Sequence, residues 1–135
     1  MTALFAPTDL VAPFEKLRMS DVETVGGKNA SLGEMISQLP QGVRVPTGFA
    51  TTAHALREFL KHDGLDARIQ AKLDALDTDN VNALAATGAE IRALVEQQPF
   101  PEDLEKAIRE AFATLNGGNA QASFAVRSSA TAEDL

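Results

Sequence analysis

Two glycines in succession, Gly26 and Gly27, stand directly before Lys28 and an apolar pattern of helical spacing. That pair restricts the fold more than any other feature, because glycine permits positive φ and lets another backbone approach closely. Behind it Ala30, Leu32, Met35, Ile36 and Leu39 recur at helical intervals until Pro40 and Gly42 stop them, which predicts a turn feeding a helix N-terminus. Bare N–H groups at a helix start, followed at once by an ammonium, suit an anion such as phosphate. A second run near the other end, Phe124-Ala125-Val126-Arg127-Ser128-Ser129-Ala130-Thr131-Ala132-Glu133-Asp134, offers a guanidinium and several hydroxyls. The two runs together make nucleotide handling the leading functional reading.

The rest of the composition narrows the alternatives. A chain of 135 residues fits one domain, and such a chain buries about two-thirds of its extended surface. Aromatics are scarce, seven Phe with no Trp or Tyr, so the core must be built mainly from Leu, Val, Ile and Ala. A stacking platform for single-stranded nucleic acid is disfavoured on the same ground. The net charge of −7 argues against a general nucleic-acid or anionic-membrane surface. It leaves a nucleotide pocket open, since one ammonium about 4 Å from a phosphate gains on the order of 4 kcal/mol before desolvation, and salt screens distant charges over roughly 10 Å. Without cysteine there is neither disulfide nor thiolate chemistry. The first residues lack a basic start and a long apolar run, so no secretory signal is expected. No segment has the ~20 apolar residues of a membrane span, and a cytoplasmic protein is the simplest expectation.

Along the chain, residues 1–13 read as an irregular or extended lead-in, and residues 14–19 as a short strand or turn. Val43-Arg44-Val45 predicts a short strand, and Pro46-Thr47-Gly48-Phe49 a turn, in which Pro fixes one φ and Gly permits a positive one. Thr51 or Thr52 is placed to cap a helix carrying Ala55, Leu56, Phe59 and Leu60, ended by Gly64. Residues 65–76 form another amphipathic stretch, and Asp79 is the expected cap of a helix running past Val95. Pro99 ends it and Pro101 opens the next, with Glu102–Lys106 and Glu105–Arg109 as i,i+4 pairs. Asn116-Gly117-Gly118-Asn119 stops that helix. Residues 122–127 then alternate enough to predict a strand carrying Arg127 at its carboxyl end. The class is α+β, helix-rich with a few short strands. The chain stops right after Glu133-Asp134-Leu135 with no element left to cover that loop, as expected of a piece of something longer.

Taken singly, each motif has a plainer reading. Gly-Gly-Lys is commonly a flexible turn with a solvated lysine, and the P-loop spacing is absent. An arginine at a strand end commonly makes a structural ion pair. Glu133 and Asp134 form a candidate Mg²⁺ pair, but without a third ligand they read as a solvated loop. His54 and His62 fall at helix ends, and Glu58 with His62 has metal-like spacing and no further ligand. Met35 reads as core. No Ser-His-Asp constellation is present.

The runs gain weight by occurring together with a third. Val25–Met35, then Val45-Pro46-Thr47-Gly48-Phe49-Ala50-Thr51-Thr52-Ala53, then Ser123–Leu135, resemble in that order the start of the pyruvate phosphate dikinase family. The likeness covers about residue 14 onward, including Gln98-Pro99-Phe100 and residues 107–111. It implies the N-terminal part of an ATP-grasp-like nucleotide-binding domain, one incomplete domain over 1–135, opening a much longer enzyme. In such enzymes ATP gives its β,γ-diphosphate to a histidine on a swivelling domain and leaves as AMP. Water then releases inorganic phosphate, and the remaining phosphoryl group passes to pyruvate, giving phosphoenolpyruvate. By the same resemblance Lys28 and Arg127 contact ATP phosphates, with Gly26, Gly27, Ser128 and Ser129 beside them. The phosphohistidine, the Mg²⁺ ligands and the pyruvate-binding barrel are expected beyond Leu135, so no catalytic or metal residue is assigned here. The expected partners are ATP with Mg²⁺, and pyruvate in the parent enzyme, a possible homodimer.

Two other readings compete. One is a stand-alone, non-catalytic nucleotide- or partner-binding module. The other is a piece of a rifampin-type antibiotic phosphotransferase, disfavoured by the form of Ser128–Asp134.

Overall fold

The computed structural model describes residues 4–119 and 121–132. These fold as six α-helices and one two-stranded sheet, and they divide into two compact units, 1–56 with 103–135 and 57–102. The class is α+β and helix-rich, as the sequence predicted. No helix among the described residues is long and apolar enough to cross a membrane.

The first unit begins with strand β1 (Val11–Pro13), which pairs antiparallel with β2 (Phe49–Thr51) so that Ala12 faces Ala50. Three-residue strands are too short to show alternation, and neither was legible in the sequence. Short 3₁₀ turns at Phe14–Lys16 and Met19–Asp21 follow β1 where a strand or turn was expected. Helix α1 (Val22–Val25) ends at Gly26, and α2 (Gly27–Gln38) starts immediately after it. The core gathers Phe5, Ala12, Leu17, Val25, Ala30 and Ala50, with Phe14 and Val22 packed against it. Small residues there let backbones approach: a Cβ on Gly33 of α2 would lie 2.4 Å from Leu17 Cβ and 2.6 Å from the Leu17 carbonyl oxygen. Gly48 is also glycine for space. Its φ is not positive, and a Cβ there would meet the Phe14 ring at 2.7 Å.

Thr52 caps α3 (Ala53–Lys61): its hydroxyl accepts the Ala55 N–H (3.2 Å) and donates to the Asp9 carbonyl (2.6 Å). Helix α6 (Glu102–Asn116) starts one residue after Pro101 and ends at Gly117 and Gly118, with φ of 58° and 84°. On it Arg109 pairs with Glu105 (2.9 Å) as expected, while Lys106 reaches forward to Glu110 (3.9 Å) rather than back to Glu102.

Three expectations for this unit fail. Val43–Val45 is not a strand; its apolar side chains, with Pro46, line an open groove against Met35 and Ile36 of α2 and Leu39 just after it. Met35 is therefore surface rather than core, 40% exposed. Residues 122–127 form no strand either: among the described residues the paired strands are β1 and β2. Phe124 instead rests its ring on Phe112 of α6, centroids 5.0 Å apart, and Val126 is 96% exposed.

In the second unit α4 (Leu65–Asp74) packs on α5 (Val81–Gln97). Gly64, with φ of 68°, separates α4 from the preceding turn. Asn80, not Asp79, caps α5, its side-chain oxygen accepting the Ala83 N–H at 3.1 Å. Asp79 spends its own N–H on Asp77 Oδ1. Lys72 and Glu90 tie the two helices at 2.8 Å, and the rings of Phe59 and Phe100 meet edge to face.

Candidate functional site

The site lies within the first unit and is built around Gly26. There φ is 83° and ψ 161°, a combination essentially closed to residues with a side chain. It turns the chain sharply between α1 and α2, so that α2 starts with an abrupt change of direction. Three hydrogen bonds pin the turn: Gly26 N–H to Val22 O (2.8 Å), Ala30 N–H to Gly26 O (3.1 Å), and Asn29 Nδ2–H to Val25 O (2.8 Å).

Gly26 also meets the other end of the chain. A Cβ added to it would lie 2.6 Å from the Ala130 carbonyl oxygen and 2.9 Å from that of Ser129. The glycine is buried and the backbone of residues 129–130 passes directly over it. Folding thus sets the two runs singled out in the sequence side by side. Gly27 differs. It is the first residue of α2, exposed, and a Cβ on it would meet nothing within 4 Å. One glycine closes the turn against the 129–130 segment, and the next leaves the backbone open.

The N-terminus of α2 carries no side-chain cap, since its N-cap residue is Gly26. An acceptor for first-turn N–H groups must then come from elsewhere, and the partial positive charge at that end favours an anion. Lys28, second in the helix, and Arg127 are both exposed, each beside the Gly26–Ala130 contact in sequence. Ser128 Oγ accepts the Ala130 N–H at 3.3 Å, a short turn that shapes the segment lying on Gly26. Ser129 is half-buried there.

Asn29 and Gly33 are the residues sequence reasoning passed over. Asn29 is a buried polar side chain in the first helical turn, and a polar residue at an inward helical position was the available signal. Nothing local announces Gly33, because its reason is the Leu17 backbone, brought there by tertiary folding.

His54 lies in the first turn of α3 and His62 just beyond its end, with Nε2 3.5 Å from Asp63 Oδ2. Among the described residues no group of three His, Asp or Glu side chains could hold a metal ion. Glu133 and Asp134 lie outside the described residues.

The family model described as "Pyruvate phosphate dikinase, AMP/ATP-binding domain" matches residues 22–135, starting at α1 and taking in both runs. The chain is 61% identical over 128 residues to the phosphoenolpyruvate synthase of Pseudomonas aeruginosa, covering 94% of this chain and 16% of that protein. It is 55% identical over 127 residues to the phosphoenolpyruvate synthase of Escherichia coli, covering 93% and 16%. A probable phosphoenolpyruvate synthase of Methanocaldococcus jannaschii is 44% identical over 127 residues, covering 93% and 10%. The chain thus spans about a sixth or less of the length of these curated relatives. It belongs to the pyruvate phosphate dikinase AMP/ATP-binding domain family.

Proposed function

We propose that this chain is the N-terminal ATP-binding part of a phosphoenolpyruvate synthase, and that the Gly26 turn and the Arg127 run together hold the phosphates of ATP. The observation that carries this reading is the contact of Gly26 with Ser129 and Ala130, which joins two cation-bearing runs at an uncapped helix N-terminus. Lys28 supplies a point charge and Arg127 a planar fork suited to two phosphate oxygens. Gly27 and the first turn of α2 supply N–H donors, Gly26 shapes their direction, and Ser128 and Ser129 supply hydroxyl and backbone groups from the opposite run. Phosphoryl transfer depends mainly on positioning and charge neutralisation, which is the chemistry these groups offer.

In this reading the chain is the first part of one ATP-grasp-like domain, incomplete by itself. Mg²⁺ accompanies the nucleotide and screens its phosphate charge, with ligands supplied outside the described residues. The parent enzyme converts pyruvate, ATP and water to phosphoenolpyruvate, AMP and phosphate through a phosphohistidine elsewhere in its sequence. The present chain alone does not turn over.

A calorimetric titration of the chain with ATP and Mg²⁺, repeated for Lys28→Ala and Arg127→Lys, tests the assignment. Saturable binding is expected for the unaltered chain, with about tenfold or greater weakening in Lys28→Ala from loss of a charged contact. Arg127→Lys is expected to bind less tightly too, because an ammonium cannot reproduce two parallel N–H contacts. Unaltered affinity in both variants, or no saturation by the unaltered chain, contradicts the proposal.

A further inference from the structure

We infer that Asn29 is a positioning residue for this site, acting through the Gly26 turn rather than by touching the nucleotide; this rests on the phosphate-binding reading above. Asn29 is only 8% exposed, and its amide donates to the carbonyl of Val25, the last residue of α1. The bond therefore spans the Gly26 kink, from the first turn of α2 back to the end of α1. A two-glycine turn has more backbone freedom than any other dipeptide, and the N–H groups of Gly27 and Lys28 point wherever the Gly26 dihedrals send them. The flanking bonds at Gly26 N–H and Gly26 O belong to the two helices and follow each helix separately. The Asn29 amide is the side-chain bond that ties one helix to the other across the kink. Its loss leaves the Val25 carbonyl without its donor and lets α2 pivot at Gly26, blurring the donors that meet the phosphates. Preorganised donors bind better than mobile ones because no ordering remains to be done on binding.

The geometry also indicates which replacement preserves the role. The bond runs from residue i to the carbonyl at i−4, a reach that a serine hydroxyl on a helix shares. Asn29→Ser keeps a donor at that carbonyl, and Asn29→Ala removes it.

Three measurements on the unaltered chain and both variants test this: ATP titration with Mg²⁺, thermal unfolding, and hydrogen exchange of backbone amides without nucleotide. Asn29→Ala is expected to weaken ATP binding about fivefold, the size of one neutral hydrogen bond, with Asn29→Ser recovering most of it. In Asn29→Ala, faster exchange is expected at residues 26–29 and unchanged exchange at the α5 amides. If the unaltered chain fails to bind ATP while this exchange pattern holds, the nucleotide reading fails and the turn-fixing role stands. If Asn29→Ala binds ATP and exchanges like the unaltered chain, or if both variants weaken equally while remaining folded, the positioning role is overturned. Should Asn29→Ala unfold, Asn29→Ser decides alone: loss of affinity with retained melting temperature and unaltered exchange contradicts the role.

Discussion

The chain contains two Gly-Gly pairs, and they do different physical work. Gly117 and Gly118 end α6 with φ of 58° and 84°, and a Cβ on either would meet nothing within 4 Å. They are glycines only because the backbone turns left-handed after a helix. Gly26 also has positive φ, but it is buried, and a side chain there would enter the backbone of residues 129–130. Gly27, its neighbour, needs neither left-handed space nor close packing. The same dipeptide therefore marks a helix end in one place and, in the other, the junction of two distant runs. Packing distinguishes them energetically, and the phosphate role proposed for Lys28 distinguishes them functionally.

The sharpest way to break this comparison is Gly26→Ala. Strain at a Gly-only dihedral pair and a 2.6 Å approach to the Ala130 carbonyl oxygen together are expected to cost about 3 kcal/mol or more. A denaturant melt that shows less than 1 kcal/mol, by the order of magnitude of a simple left-handed penalty, would mean residues 129–130 do not rest on Gly26. Gly117→Ala meets open space and is expected to cost about 1 kcal/mol, from positive φ alone. Gly27→Ala should move stability and binding in opposite directions. Chemical denaturation is expected to show a gain of up to about 1 kcal/mol from helix propensity, while calorimetry shows weaker ATP binding because a methyl group occupies the open side of the turn. Arg109→Ala, on the helix leading into the second pair, is expected to cost only about 0.3 kcal/mol and to lose even that in high salt.

The contrast also shows what the sequence made legible. Helix α2 was readable because its apolar residues recur at helical spacing and Pro40 ends them, and Thr52 and Gly64 announced themselves by ordinary cap and turn chemistry. Both cation-bearing runs were visible as residue types in order. Their contact through Gly26 was not, because it depends on a chain reversal that no local pattern encodes. The strand expected over residues 122–127 failed for a related reason: alternation describes a segment able to pair, and pairing needs a neighbour. Val43–Val45 failed because its apolar side chains face α2 across a groove instead of a sheet partner. Asn80 displaced Asp79 as a cap by one position, a difference set by where Val81 enters the helix. Gly33 and Gly48 answer to space made by Leu17 and Phe14, a tertiary cause invisible in either local window.

The central claim is that the runs at Gly26 and Arg127 form one site for one polyphosphate. Amide chemical shifts followed during titration with ATP and Mg²⁺ test it most directly. Resonances of Gly27 and Lys28 should move together with those of Arg127, Ser128 and Ser129, all fitting a single dissociation constant. Movement confined to one run, or two runs saturating at different nucleotide concentrations, would contradict a shared site.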